Sequence, residues 1–323
     1  MKILVTGGTG FIGRHVVAEL LHRNFGVRVL ARSAPGPKPD ARIEHVRHDI
    51  REATGLARAV EGVDAVIHCS AAMDGDLPTQ LAITVEGTEN LLNAMKQARV
   101  RRIIGISTFA IYDYLQIPAG ALLTEDSPLE ENFDARAPYI RAKRYQEDLI
   151  REHAAANGWR STILRPGLVY GKDRTWFYHL GTHLGARRWL CLAGEGLLPI
   201  THVENCASAI VAALECDAAS GQTANIVDDD LPTRRTYAEE LAKRTKPAPS
   251  ITTISWPALE RAARSASWMN RTILRGKAPV PGLLDPASLA ARCKPLQYSN
   301  QRAKEALGWK PKWNLQEGLD RSF

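Results

Sequence analysis

Residues 2–13 read Lys2-Ile3-Leu4-Val5-Thr6-Gly7-Gly8-Thr9-Gly10-Phe11-Ile12-Gly13, and this stretch decides the fold. Ile3, Leu4 and Val5 make the short continuous apolar run of a strand buried on both faces. From Phe11 to Arg23 the apolar residues return with helical spacing. Gly7, Gly10 and Gly13 fall at the junction of the two. The first permits a tight turn, the second lets a pyrophosphate approach the backbone, and the third lets the helix sit close to the sheet. The helix start then offers unpaired N–H groups and the positive end of the helix dipole to phosphates. A glycine triplet alone says little, but between a strand and a helix it marks a dinucleotide-binding loop, with Phe11 and Ile12 at its helix end.

The alternation continues outward. Val27 to Ala31, Ile43 to Val46, Ala65 to His68, Arg102 to Ser107 and Thr162 to Arg165 read as strands. Thr79 to Gln97 and Tyr139 to Ala156 read as long helices, the second stopping near Asn157-Gly158. This rhythm predicts an α/β fold, a Rossmann-type doubly wound parallel sheet with helices on both faces. After Gly171 the pattern loosens. The helix Glu204 to Leu214 and the strand Thr223 to Val227 are expected to return to the sheet, whereas Leu231 to Arg292 is Pro- and Arg-rich and reads as largely helical. The expected division is a dinucleotide-binding domain over 1–171, rejoined by 200–228, and a smaller C-terminal substrate-binding domain from 172–199 and 229–323.

The 323 residues are 45% apolar, enough for a buried sheet. No apolar run reaches the roughly 20 residues of a membrane helix, and the first residues lack a signal-peptide layout. A cytoplasmic protein without a membrane partner is expected. The formal charge of +7 is scattered, with no basic block and no nucleic-acid motif. A solvated basic surface is the first reading, and a dinucleotide with a phosphorylated substrate is the alternative; nucleic acid is not expected. The five cysteines, Cys69, Cys191, Cys206, Cys216 and Cys293, include no C-x-x-C pair, which argues against a disulfide framework and a zinc site.

The second strand ends at Ala31-Arg32, where an acidic residue would bind the ribose 2′-hydroxyl of NAD. The guanidinium of Arg32 instead favours a 2′-phosphate, so NADP is the expected cofactor, with NAD the alternative and Arg14 or Arg28 as possible helpers. After the third strand, Asp49 suits the adenine amino group and Ile50 the adenine ring, or Asp49 serves a turn. Tyr139 and Lys143 stand at i and i+4 on one helix face. A phenol titrates near 10, and a nearby ammonium lowers that value toward the range of base catalysis. Thr108, at the end of the fifth strand, completes a catalytic set.

With these residues the chain resembles the extended short-chain dehydrogenase/reductase superfamily, in its NAD-dependent epimerase/dehydratase group. The matching stretches are the glycine loop, DAVIHCSAA from Asp64, GTENLL from Gly87, STFAIY from Ser107, YIRAK from Tyr139, RPGLVYG from Arg165 and YSNQRAKEALGWKPKW from Tyr298. The resemblance implies that Tyr139 moves the proton, that Lys143 tunes it and binds the nicotinamide ribose, and that Thr108, beside Ser107, hydrogen-bonds the reacting oxygen. It implies that Cys69, Ser70 and Ala71 line the cofactor ribose and that Pro166 and Val169 border the nicotinamide. It also implies a homodimer through the two long helices, with Ile83, Leu91, Met95, Leu149 and Ile150 as candidates for the shared apolar stripe.

The departures narrow the chemistry. The family's dehydratases carry an Asp-Glu pair after the catalytic Thr, where this chain has Phe109 and Ala110, so dehydration is not expected. The Asn that usually precedes the Gly-Thr pair of the long helix is replaced by Thr84. The expected activity is hydride transfer to or from a secondary alcohol of a small-molecule substrate, a sugar nucleotide first. The alternatives are an apolar alcohol or ketone such as a sterol- or flavonoid-like compound, and a dinucleotide-sensing protein without turnover. His202 reads as a packing or capping histidine. His179 and His183 read as one turn of a polar helix face rather than metal ligands. The stripe of Trp256, Leu259, Trp268, Ile273 and Leu274 reads as a lid or core helix.

Overall fold

The computed structural model describes residues 1–33, 40–131, 137–185, 187–273, 275 and 282–323. Seven strands form one parallel sheet: β1 (Lys2–Thr6), β2 (Gly26–Ala31), β3 (Ile43–Arg47), β4 (Ala65–His68), β5 (Arg102–Ile106), β6 (Arg160–Pro166) and β7 (Thr223–Ile226), in the order β7-β6-β5-β4-β1-β2-β3. The order reverses between β1 and β4, and both strands end pointing at the same crevice, the usual ligand site of a doubly wound sheet. Alternation along β1 feeds two cores. Ile3 and Val5 face the helices Phe11–His22 and Val203–Glu215, while Leu4 faces Leu56–Val60, Gly87–Gln97 and Pro138–Asn157.

Two features aim the functional end of the sheet. Gly7 sits at φ +67°, and a Cβ on Gly13 would run into the Gly7 carbonyl, so the turn closes tightly into the helix Phe11–His22. Gly105 in β5 leaves room for Ile150, whose Cδ1 would lie 2.7 Å from a Cβ there. The Pro138–Asn157 helix therefore lies close on the strand that leads to Thr108.

Several expectations are corrected. The helix foreseen over Thr79 to Gln97 is interrupted: Leu77–Gln80 and Gly87–Gln97 are α-helical, but Leu81–Glu86 is a π-helical turn. The wider turn carries Thr84, whose hydroxyl accepts the Ala72 N–H at 3.0 Å and whose carbonyl accepts from Thr88. Leu91, Met95 and Ile150 are buried in the chain's own core, so of the residues expected in a shared stripe only Ile83 and Leu149, both half-buried, keep surface for a second copy. His179 and His183 share no helix. His183 ends the strand Gly181–His183 with its ring 4.1 Å from Trp176, because this segment pairs antiparallel with Arg188–Leu192. Arg188–Leu192 in turn pairs in parallel with Ser250–Ile254, a small sheet inside a region read as helical. In the helix Trp256–Thr272, Trp256 is buried and packs with Leu259 and Ala263, whereas Trp268 and, just past the helix end, Ile273 are 58% and 62% exposed. Leu274 lies outside the described residues. All five cysteines are free thiols. Among the described residues no helix is long and apolar enough to cross a membrane, and no group of side chains could hold a metal ion.

Candidate active site

The carboxyl ends of β1, β2, β4, β5 and β6 open into one cleft of about 920 Å³. The residues proposed from the sequence as catalytic or cofactor-binding line it, apart from the two suggested helpers Arg14 and Arg28. At the phosphate end stand Gly7, Gly10, Phe11, Ile12 and Gly13. The helix Phe11–His22 begins at Gly10 with no side-chain cap, so its first N–H groups remain available to a ligand. Arg32 is exposed at the rim, and among the described residues its guanidinium makes no ion pair. Asp49 is nearby but engaged: Arg51 holds it at 2.7 Å and keeps its carboxyl down at about 2. Ile50 is buried on the cleft wall. Arg28, considered as a helper, is excluded. It is buried, donates to the carbonyls of Ala59 and Glu61 at 2.9 and 2.7 Å, and pairs with Glu44 at 2.8 Å, away from the cleft. Arg14 does not line the cleft either and stacks over Phe11.

At the other end, Cys69, Ser70 and Ala71 follow β4, Ser107 and Thr108 follow β5, and Pro166 and Val169 follow β6. Thr108 caps a short 3₁₀ turn, its Oγ1 accepting the Ala110 N–H at 3.2 Å, which fixes the hydroxyl beside Tyr139. Burial pushes the Tyr139 phenol up to about 12, with the Thr108 hydrogen bond working the other way. The lowering by Lys143 foreseen from the i, i+4 spacing is not seen at Tyr139. The buried Lys143 ammonium is instead held by the Ile106 carbonyl and Gln146 Oε1, and burial pulls it down to about 8. His68 and Gln146, not singled out from the sequence, form the floor beneath Lys143. Gln146 lies three residues after Lys143 on the same helix face, the one local signal that pointed to it.

The wall facing Tyr139 is aromatic and apolar: Met73, Phe109, Tyr114, Phe177, Tyr178 and Tyr298. Phe109 is buried against Tyr112 and Tyr298, and Ala110 follows it, so neither position offers an acid or base. Arg234, Arg292 and Lys294 also line this end. Arg234 donates to the Leu197 and Arg292 carbonyls at 2.9 and 3.2 Å, Arg292 to those of Tyr178 and Gly181, and Lys294 to that of Tyr114 at 2.8 Å. None of the three makes an ion pair among the described residues. His179 beside them is kept neutral, its value lowered to about 3 by burial and by Arg234 and Arg292. His202 is buried in a T-shaped contact with Tyr170, outside the cleft.

A glycine loop opening an uncapped helix, the Thr108 and Tyr139 hydroxyls and a buried lysine in one cleft define a dinucleotide-dependent oxidoreductase site. Residues 3–227 match the model of the NAD dependent epimerase/dehydratase family, and the chain belongs to that family. It is 29% identical over 332 residues to the 2-alkyl-3-oxoalkanoate reductase of Stenotrophomonas maltophilia, covering 99% of this chain and 98% of the relative. It is 26% identical over 337 residues to a 3 beta-hydroxysteroid dehydrogenase/Delta 5-->4-isomerase of Mycobacterium tuberculosis, covering 98% and 88%. The fold is similar to UDP-glucuronic acid 4-epimerase from Bacillus cereus in complex with NAD, with a TM-score of 0.74, 22% identity and coverage of 100% and 97%.

Proposed function

We propose that this protein is an NAD(P)-dependent ketoreductase acting on a ketone or secondary alcohol with an apolar body and an anionic group, such as a 3-oxo acid. The observation that carries the reading is the substrate end of the cleft, where aromatic walls run into Arg234, Arg292 and Lys294, cations partnered by main-chain carbonyls. An apolar body buries against the walls, and an acidic group answers the cations. The name of the Stenotrophomonas relative fits this combination.

A bound nicotinamide cofactor supplies or accepts the hydride. Gly7, Gly10 and the first N–H groups of the following helix suit its pyrophosphate, and Arg32 suits a 2′-phosphate. Thr108 and Tyr139 hold the substrate oxygen between two hydroxyls. A phenol at about 12 is protonated at neutral pH, so Tyr139 is ready to donate its proton to the oxygen as a carbonyl becomes an alcohol. Lys143, held by the Ile106 carbonyl and Gln146, suits the nicotinamide ribose with its ammonium.

The same three cations favour a second reading, an epimerase of a sugar nucleotide, whose diphosphate is also an anion. Incubation with NADPH or NADH and a panel of 3-oxo acids, sterols and nucleotide hexoses separates the two. Net oxidation of the reduced cofactor with a 3-oxo acid supports the ketoreductase. Epimerised nucleotide hexose with no net cofactor change refutes it.

A further inference from the structure

Beneath Lys143 lies a buried polar cluster from four separate segments: Thr6 at the end of β1, His68 at the end of β4, Thr84 and Thr88 around the π-helical turn, and Gln146. All five are at most 2% exposed. Gln146 is the hub. Its Oε1 accepts from Lys143, and its Nε2 lies 2.9 Å from Thr88 Oγ1, 3.0 Å from His68 Nε2 and 3.1 Å from the Ser70 carbonyl. The two ends fix the amide. A lysine only donates, so Oε1 must face it, and a carbonyl only accepts, so Nε2 must face Ser70. His68 is anchored from the far side by Thr6 at 2.6 Å. A buried network satisfied at every member is rigid, and a neutral acceptor holds an ammonium without neutralising it.

We infer that Gln146 is the positioning residue for Lys143: braced by His68, Thr88 and the Ser70 carbonyl, its amide oxygen and the Ile106 carbonyl take two of the three ammonium protons and aim the third at the cofactor. The inference rests on the reading of Lys143 as a cofactor contact. It explains why a long amide stands where the helix packs on the sheet, and why it is neutral. A carboxylate there would pair with the ammonium and offset the charge it presents to the cofactor.

Among the described residues, the ionisable groups around Lys143 are few. His68 and Cys69 stand at the end of β4, Tyr139 one turn before on the same helix, and Glu147 after it. Glu147 is committed to Arg165 of β6 and to Arg151, and the segment after β5 offers only Ser107 and Thr108, which carry no charge. Burial lowers His68 to about 3 and raises Cys69 to about 12, so between pH 6 and 10 Lys143, at about 8, is the group of this cluster that changes charge.

The test is the affinity of the full-length protein for NADPH and NADH from pH 6 to 10, by quenching of protein fluorescence. It compares the wild type with Gln146→Leu, Gln146→Glu and Lys143→Met. In the wild type, affinity should fall as pH rises through the Lys143 midpoint. Gln146→Leu removes an acceptor of the charged form, so its midpoint should move down and its affinity should drop roughly tenfold, the scale of one hydrogen bond to a charged group. Gln146→Glu keeps the shape; His68 can turn a proton toward the new oxygen, which otherwise meets the Ser70 carbonyl. Its midpoint should move up by about one pH unit or more. Folded variants with wild-type midpoints overturn the inference, even if affinity falls, because a merely structural glutamine would weaken binding without moving the midpoint. Unchanged affinity and pH dependence in Lys143→Met would instead overturn the reading of Lys143, and the inference with it. A Lys143→Met loss with unmoved Gln146 midpoints overturns the inference alone.

Discussion

The Pro138–Asn157 helix is bolted to β6 by an ion pair, and cutting it gives a prediction with a size. Glu147 and Arg165 have side chains 0% and 3% exposed, with Oε1 to Nη2 at 2.5 Å and Oε2 to Nε at 3.2 Å, a bidentate fit. Arg165 also donates to the Tyr112 hydroxyl at 3.1 Å and the Glu125 carbonyl at 3.3 Å. Glu147→Ala leaves that guanidinium buried without its counter-charge, which costs roughly 3–5 kcal/mol. Losing the contact with Arg151 adds little, about 1 kcal/mol or less, since Arg151 is 40% exposed. At about 2 °C per kcal/mol for a chain of this size, the midpoint should fall by roughly 6–10 °C. Calorimetry and urea unfolding read this directly. The double variant Glu147→Leu with Arg165→Met removes both charges and should recover most of the loss. The pH dependence follows. Burial alone would raise the Glu147 carboxyl, but the hydrogen bonds and charge of Arg165 outweigh it and hold it at about 2, below the ordinary 4.5. Its contribution is therefore complete above about pH 4.5 and is lost as pH falls through about 2. A loss under about 1 kcal/mol in Glu147→Ala, or a double variant no more stable than the single, would refute the reasoning.

Tyr139→Phe removes one hydroxyl and keeps the ring, so turnover should fall at least about a hundredfold while NADPH binding and the unfolding midpoint stay near wild type; a wild-type rate removes Tyr139 from the mechanism. Arg32→Ala should weaken NADP by roughly 1.5–3 kcal/mol and leave NAD nearly unchanged, as calorimetry with each cofactor will read; tighter binding of NAD than NADP by the wild type contradicts the role of Arg32. Because Phe109 and Ala110 exchange no proton, incubation with nucleotide hexoses should yield no product lighter by one water in mass spectrometry.

Whatever depends on neighbours along the chain is legible in the amino-acid order. The strand-glycine-helix order of residues 2–13 specifies its turn through steric limits that act within a few residues, and β1 and β4 fall where the apolar runs place them. The i, i+4 spacing put Tyr139 and Lys143 on one face because helix geometry is fixed. Tertiary structure decided what depends on which distant segments meet. Arg28 reads like any basic residue of a second strand until Ala59, Glu61 and Glu44 close around it. Leu91 and Met95 are apolar in any reading, but only packing makes them core rather than interface. The pairing of Arg188–Leu192 with Ser250–Ile254 joins segments about sixty residues apart, and no local signal specifies such a partner. Gln146 is the clearest case. Its side chain is an ordinary polar helix residue in sequence, and it becomes the support of Lys143 only because His68, Ser70, Thr84 and Thr88 converge on it from elsewhere in the chain. A buried amide is tolerated only where all its partners arrive together, and their arrival is a property of the fold.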